Sequence, residues 1–331
     1  GADLLELKSP DQFRYIGKAL PIVDMHDMTH GGAMYGADIR LPGMKFAAIA
    51  RPPVVFGKVK TYDAAKALAV AGVEQVVELP AAEAPSMFKA QGGVAVIASN
   101  SWAALKARDL LDIEWDDGSN ADYDSDSYKQ VLLQAVRQPG SVLRQQGDVG
   151  QALEAAEQTL EAEYYAPHLA HASMEPPAAV ASVTADFCEV WAPTQNPQSL
   201  IPMVEAATGL TKEQVKINVT LLGGAFGRKS KCDFAEEAVV LSKMTGAPVL
   251  VQWSREDDIR HDYFHSVSAQ QLAASIGPDG AVTGWRHRLA YPSIMSTFDP
   301  AVNAPVAFEA GLGALNVPYD IENLTIEAGE A

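Results

Sequence analysis

Three glycines separate a β-branched segment from an apolar segment with helical spacing. Gly223, Gly224 and Gly227 follow residues 215–220, VKINVT, which predict a buried strand. Residues 234–245 then carry apolar side chains at helical spacing. A strand, a glycine loop and a helix in this order let the backbone approach a ligand closely. Such a loop points free N–H groups at an anion, which the start of the helix also favours.

Basic residues extend the same loop. Arg228, Lys229 and Lys231 add positive charge where an anion would bind, and Asp233 is the predicted N-cap of the following helix. An alternative is a tight strand-to-helix turn with solvated basic residues. The glycine spacing matches neither the P-loop nor the dinucleotide fingerprint, so the loop does not identify a nucleotide by itself.

Histidines are the second set of residues that could do chemistry. His168 and His171 precede Glu175 in PHLAHASMEPP, and His261 and His265 are four residues apart. Histidines at that spacing on a helix can share a metal ion. Prolines bound the first run, which disfavours one continuous helix, so hydrogen-bonded structural histidines are the preferred interpretation.

A polar turn follows a predicted strand at residues 191–198, WAPTQNPQ. Gln195 and Asn196 stand at the end of that strand, where sites in α/β proteins are often found. The alternative is a turn and helix start built by Asn196 and Pro197.

Composition limits the possible functions. The chain has 331 residues, a size typical of about two domains. Its formal net charge of −17 disfavours nucleic acid as a partner, because binding phosphates requires clustered Lys and Arg. Cys188 and Cys232 are the only cysteines in the sequence. Two thiolates cannot hold an iron–sulfur cluster, which takes about four.

The order of the elements predicts a mixed α/β or α+β fold in two parts. Residues 1–13 are interpreted as a lead-in, 14–117 as a compact α/β domain, 118–127 as an acidic linker and 128–331 as a second domain. Strands are predicted at 45–50, 73–79, 93–98, 112–115, 159–165, 179–184, 188–191 and 249–253, with a hairpin over 267–276 and 281–291. Helices are predicted at 64–71, 100–111, 128–137 and 149–156.

Three segments, taken together, resemble a known family. HLAHASMEPPAAVA (168–181), WAPTQNPQ (191–198) and LLGGAFGRK (221–229) resemble the large, molybdenum-binding subunit of the xanthine dehydrogenase and aldehyde oxidase family. The nearest branch is that of the isoquinoline 1-oxidoreductase beta subunit and the bacterial membrane-associated aldehyde dehydrogenases. Residues 13–53 are similar to the same branch. The resemblance implies an α/β hammerhead domain over 14–117 and the first part of a molybdopterin-binding domain over 128–331.

The resemblance also implies a reaction and its partners. The family hydroxylates aldehydes or N-heterocycles with oxygen from water, using a molybdenum–molybdopterin cytosine dinucleotide. Electrons pass to a small iron–sulfur subunit and, in this branch, to a possible cytochrome c subunit. A periplasmic or membrane-associated bacterial location is slightly favoured over a cytoplasmic one. The family's general base is a glutamate in a G-x-G-E setting, which this sequence lacks. The expectation is therefore a first half of a large subunit that is inactive without the rest of that subunit.

The matching positions imply roles for individual residues. Gln195 would donate a hydrogen bond to a molybdenum oxo ligand, and Phe226 would line the substrate side. No protein side chain is expected to ligate the metal directly. The residues expected to contact the cofactor are Gly223, Gly224, Ala225, Phe226, Gly227 and Arg228.

Two other functions stay open on the sequence. One is a non-catalytic interaction module that binds no cofactor in isolation. The other, weaker, is a metalloprotein that uses the histidine pairs.

Overall fold

The computed structural model describes residues 5–331, so residues 1–4 of the predicted lead-in lie outside the described residues. The strands are β1 Lys45–Ala50, β2 Lys58–Asp63, β3 Val73–Leu79, β4 Gly93–Ala98, β5 Asp112–Asp116, β6 Ser141–Gln146, β7 Gln158–Ala166, β8 Ala178–Val183, β9 Cys188–Ala192, β10 Val215–Val219, β11 Val249–Gln252, β12 Ser268–Ile276, β13 Val282–Ala290 and β14 Asn323–Ala328. The α-helices are α1 Met25–His30, α2 Ala65–Leu68, α3 Ser101–Arg108, α4 Ser125–Arg137, α5 Val149–Ala155, α6 Pro197–Thr208, α7 Asp233–Thr245, α8 Arg255–Arg260 and α9 Ala307–Ala310.

A seven-stranded mixed sheet combines strands from residues 45–98 with strands from residues 178–252. Its order is β10-β9-β8-β11-β1-β4-β3. In β1, Phe46 lies opposite Leu250 of the parallel strand β11 and opposite Ala98 of the antiparallel strand β4. The sheet therefore joins strands from both sides of the predicted linker at 118–127. The division into two domains stays a prediction, and it does not coincide with a division between sheets.

The rhythm of strand, helix and strand in the first part does not produce parallel crossovers. Strand β4 is antiparallel to both β1 and β3, and β2 pairs with β5 in a separate two-stranded sheet. The mixed α/β class predicted from the sequence is confirmed. The sequence pattern identified most of these elements but could not give their direction in the sheet.

A five-stranded sheet in the order β6-β14-β13-β12-β7 forms the second layered unit. The predicted hairpin is confirmed, since β12 and β13 pair antiparallel along nearly their whole length. Helix α4 covers this sheet and buries Leu132 and Val136 against Val267 and Ala269. The helix begins inside the predicted linker, because the Asp124 side chain accepts a hydrogen bond from the Ser127 N–H at 2.8 Å and caps it.

Helix α7, which follows the glycine loop in the sequence, packs on one face of the seven-stranded sheet. Its side chains Phe234, Val239 and Leu241 are fully buried with Val190 and Val251 of the sheet. The helix ends at Gly246, whose φ of 66° confirms the predicted glycine termination. Burial of this apolar face holds α7 against the interior strands β8 and β11, and the loop directly precedes the helix. No helix within residues 5–331 has the length and apolar character needed to span a membrane.

Candidate functional site

The glycine loop needs its glycines for two different reasons. Gly224 and Gly227 have φ angles of 89° and 102°, a backbone region that other residues rarely adopt. Gly223 instead lies too close to its neighbour, since an added Cβ would sit 2.5 Å from the Cβ of Glu175. Phe226 adopts a φ of 54° although it is not glycine, and 67% of its surface is exposed. Such strain costs about 1–3 kcal/mol and is typical of functional sites.

The loop presents a row of free backbone donors. The N–H groups of Gly224, Ala225 and Phe226 have no hydrogen-bond partner among residues 5–331, whereas the groups on either side are bonded. Gly223 donates to Glu175 Oε2 at 3.2 Å, and Gly227 donates to Gln195 Oε1 at 3.1 Å. Three consecutive free donors in a strained loop form a site for an electron-rich ligand.

Gln195 is fixed against this loop from the neighbouring turn. Its backbone N–H donates to the Lys229 carbonyl at 2.9 Å, and its side-chain oxygen accepts from the Gly227 N–H. A backbone N–H can only donate, so the amide oxygen must face the loop and the NH₂ group must face away. That NH₂ group has no partner within the described residues. Gln195 therefore adds an oriented donor beside the three free N–H groups.

Arg228 does not present its charge to the loop surface. Its side chain is fully buried and binds both carboxylate oxygens of Asp233 at 2.8 Å, while its Nε lies 3.0 Å from Asp262 Oδ1. Burial acts to lower its pKa, but the two carboxylates outweigh burial and raise it, so the group stays charged. Its backbone N–H is bonded to the Ala225 carbonyl at 2.9 Å. Arg228 thus offers no free donor to a ligand of the loop.

This ion pair also corrects the predicted N-cap. Asp233 is the first residue of α7, and Cys232 occupies the N-cap position without a side-chain capping bond. The Asp233 carboxylate binds Arg228 instead.

Lys229 is buried in the same way. Its Nζ lies 2.8 Å from Glu175 Oε2, and burial lowers its pKa despite that carboxylate. Arg228 and Lys229 are therefore not the solvated basic residues of the alternative interpretation. They connect the loop to two other segments, one through Asp262 and one through Glu175.

Lys231 is the basic residue of the loop that keeps an available charge. Its Nζ donates to Ser230 Oγ at 3.0 Å and to the Gly227 carbonyl at 3.4 Å, and it lies 5.1 Å from the centroid of the Phe88 ring. No carboxylate among residues 5–331 lies within 4.0 Å of it. Burial lowers its pKa, with a further contribution from Arg228.

A cavity of about 870 Å³ opens beside the loop. Phe226, Gly227 and Lys231 form one wall, and residues 260–266 form another. Residues 84–91 contribute a third wall, which is attached to α7 through a hydrogen bond from the Ala90 N–H to Glu236 Oε2 at 2.8 Å. Phe226, which carries one of the three free donors, therefore borders a space large enough for a ligand.

The histidine pairs of the weaker metalloprotein alternative do not come together around a metal among residues 5–331. Asp262 Oδ2 lies 2.9 Å from His171 Nδ1, and the His171 ring lies 4.0 Å from the His265 ring. Glu175 binds Lys229 instead, and burial lowers the pKa of His261 to about 4. Among residues 5–331 no three His, Cys, Asp or Glu side chains lie together in a group suited to a metal ion.

Two residues of the site were missed from the sequence. Ser173 is fully buried, and its hydroxyl has no partner among the described residues. Its Cβ lies 3.5 Å from the position of a Cβ on Gly224, so the unpaired hydroxyl stands next to the loop. Asp262 joins His171 to Arg228. No local pattern marks either residue, because both act through contacts distant in sequence.

Comparisons with known proteins identify the family of this chain. Residues 135–330 match the family described as the molybdopterin cofactor-binding domain. The chain is 28% identical over 98% of its length to one chain of the nicotinate dehydrogenase of Pseudomonas putida. It is also 28% identical over 96% to a membrane-bound aldehyde dehydrogenase (pyrroloquinoline-quinone) of Gluconacetobacter polyoxogenes, and 28% identical over 98% to the beta subunit of isoquinoline 1-oxidoreductase of Brevundimonas diminuta.

The chain spans less than half of these relatives: 28%, 40% and 42% of their lengths. Among solved structures, the aldehyde oxidoreductase of Desulfovibrio gigas superposes with a TM-score of 0.71 at 17% identity. That match covers 92% of this chain and 37% of the other, and it shows a shared fold.

Proposed function

Because the chain belongs to the molybdopterin cofactor-binding domain family, which its residues 135–330 match, we propose that it holds the cofactor of a molybdenum-dependent oxidoreductase. The protein that carries it oxidises an aldehyde or an N-heterocycle, with water as the source of oxygen. The observation that supports this best is the row of free N–H groups at Gly224, Ala225 and Phe226 beside the Gln195 amide.

The donor set fits the group chemically. Molybdopterin bears phosphate and metal-bound oxygen atoms, and both kinds of acceptor suit N–H groups at a strained loop. The Gln195 NH₂ adds a side-chain donor in a fixed direction, and Ser173 adds a buried hydroxyl that lacks a partner within the described residues. The cofactor supplies the two-electron redox chemistry. The chain's own residues bind it, orient it and surround it with fixed donors.

Each loop residue then has a distinct part. Gly223, Gly224 and Gly227 allow the close backbone approach, Ala225 and Phe226 donate N–H groups, and the Phe226 ring faces the substrate side. Arg228 supports the loop from behind through Asp233. The nucleotide form of the cofactor is proposed to be the cytosine dinucleotide.

The electron acceptor is proposed to lie outside these 331 residues. Cys188 and Cys232 are both buried and too few for an iron–sulfur cluster. We therefore propose a small iron–sulfur subunit as partner and a cytochrome c subunit as a further acceptor. The general base and the remaining cofactor contacts are assigned to further parts of the same subunit, in line with the longer relatives. A periplasmic or membrane-associated location is proposed because one relative is named membrane-bound.

The source of the oxygen atom tests this function. The protein that carries this chain is purified with its partners and supplied with an artificial electron acceptor, and substrate is turned over in ¹⁸O-labelled water. We expect label in the carboxylic acid or hydroxylated heterocycle. Product labelled only from ¹⁸O₂ would contradict the proposal.

A further inference from the structure

Backbone strain is concentrated around the cavity. Five non-glycine residues among residues 5–331 have a left-handed φ: Phe56 (64°), Met87 (45°), Phe88 (57°), Ala172 (45°) and Phe226 (54°). The three phenylalanines all line the cavity of about 870 Å³. The other two are chain neighbours of cavity-lining residues, since Met87 precedes Phe88 and Ala172 follows His171. Bulky residues rarely adopt this conformation, and such strain is found at binding and catalytic sites.

Phe88 is held in its strained position by other aromatic rings. Its ring meets Tyr263 edge-on at 5.2 Å between centroids and Phe298 edge-on at 5.3 Å. Aromatic rings prefer such perpendicular contacts or an offset stack. Phe226 lies in another wall of the same cavity with most of its ring exposed. The cavity thus offers aromatic surfaces from separate segments of the chain.

Two cations line the cavity without a close carboxylate partner among the described residues. Lys231 and Arg260 both line it, and no carboxylate of residues 5–331 lies within 4.0 Å of either. Two carboxylates line it too, and both have partners of their own. Asp262 lies 2.9 Å from His171 Nδ1 and 3.0 Å from Arg228 Nε. Glu309 accepts from the Ser293 hydroxyl at 3.1 Å and the Ile294 N–H at 2.6 Å. Two unpaired cations in one cavity contrast with the net charge of −17 for the whole chain.

We propose that this cavity binds a planar aromatic ring that bears an anionic group. The ring packs on Phe226 and Phe88, and the anion pairs with Lys231, with Arg260 at the cavity edge. This inference rests on the proposed function and narrows its substrate class to aromatic or heteroaromatic anions rather than aliphatic aldehydes. Lys231 favours an anionic ligand over a neutral one, because an N–H of its ammonium group can donate to a carboxylate beside the Phe88 ring.

A phosphate of the cofactor is the other possible source of an anion at Lys231. The two sources predict different results for Lys231→Met. If Lys231 binds the substrate, the variant keeps its molybdenum and loses its selectivity for charge. If Lys231 binds the cofactor, the variant loses molybdenum.

The test measures binding by titration calorimetry to the purified protein that carries this chain. Three probes separate shape from charge: benzoate, which is planar and anionic; benzamide, which is planar and neutral; and cyclohexanecarboxylate, which is anionic and not planar. We expect benzoate to bind roughly 10–100 times more tightly than benzamide, the range expected for a hydrogen bond to a charged group. It should also bind more tightly than cyclohexanecarboxylate.

Matched variants complete the test. Lys231→Met should reduce the affinity for benzoate to that for benzamide, whereas Lys212→Met removes an exposed charge elsewhere and should change nothing. Phe88→Leu keeps a non-glycine residue at the strained position and removes the aromatic ring. It should weaken the binding of benzoate and benzamide but not that of cyclohexanecarboxylate. Equal affinity for all three probes, or loss of molybdenum in Lys231→Met, would overturn the inference. Selective benzoate binding by a protein that never contains molybdenum would support this binding site and contradict the proposed function.

Discussion

The Gln195 side-chain oxygen accepts a hydrogen bond from the Gly227 N–H at 3.1 Å. This bond joins the turn after β9 to the glycine loop before α7, two segments that are 32 residues apart. It also fixes which end of the amide faces outward, because the backbone N–H can accept nothing. The site's side-chain donor is therefore oriented before any ligand arrives.

Replacing Gln195 separates its two roles. Gln195→Glu retains an oxygen for the Gly227 N–H but removes the outward NH₂ donor, while Gln195→Ala removes both. Loss of one preorganised donor typically lowers kcat by about 10²–10³. We expect both variants to show this loss while keeping most of their molybdenum, as measured by steady-state kinetics and metal analysis.

Gln198→Ala is the control, since Gln198 is an exposed residue in the first turn of α6. It should retain its kcat. A Gln195→Glu variant with unchanged kcat would mean that the outward donor has no role.

Gly227→Ala tests whether the loop contacts the cofactor. The added Cβ would lie 3.5 Å from His171 Nε2, which is an ordinary contact. The expected loss of stability, about 1–2 kcal/mol, therefore comes from placing a non-glycine residue in the left-handed backbone conformation. Gly209→Ala imposes the same kind of cost at φ 81°, with no atom within 4 Å and away from the cavity. Both variants should melt at similarly lowered temperatures, and only Gly227→Ala should lose molybdenum. Equal molybdenum in the two variants would argue against contact between loop and cofactor.

The buried pair of Lys229 and Glu175 should behave as a unit. Lys229→Met leaves the Glu175 carboxylate without its cation, and breaking such a buried pair costs about 3–5 kcal/mol in the free energy of unfolding. Combining it with Glu175→Gln removes the unpaired charge, so the double variant should be more stable than Lys229→Met. Urea unfolding measures all three. A double variant whose loss equals the sum of the single losses would show that the two side chains do not interact.

Glu236 should make stability depend on pH. Burial raises the pKa of its carboxyl from 4.5 to about 7, and Asp233 adds to the effect. Between these values the folded chain binds more protons than the unfolded chain, so this group's contribution lowers stability as pH rises from 4.5 to 7.

Glu236→Gln should remove that contribution and stabilise the protein by about 3 kcal/mol at pH 8, with little change at pH 4.5. The measurement is chemical unfolding of both proteins across this range. Glu154→Gln, at an exposed helix position, is the control. A constant difference between Glu236→Gln and the parent at every pH would contradict the assignment.

The local sequence pattern predicted those parts of the structure that are determined by residues close together in the sequence. Periodicity and the glycine spacing identified β10, the loop and most of α7. Strands β2, β6 and β14 were missed, because β2 and β6 are polar strands without alternating apolar residues and β14 is buried at nearly every position.

What the sequence could not predict depends on contacts between distant segments. Arg228, Lys229 and Lys231 look equivalent in the sequence, but only the last keeps an available charge once Asp262 and Glu175 have bound the other two. Asp233 is of a residue type that often caps helices, but its carboxylate forms an ion pair with Arg228 instead. Burial and pairing, rather than residue type, decide which charges remain at the site.

The central claim is that this chain binds a molybdopterin, and the cofactor content of the purified protein tests it most directly. The protein that carries the chain is produced in a bacterium with active molybdopterin biosynthesis. Its molybdenum is then measured by mass spectrometry, and the nucleotide released by acid is identified. We predict about one molybdenum per chain with an equal amount of pterin and of cytidine monophosphate. Protein that is folded and free of both molybdenum and pterin under these conditions would contradict the account.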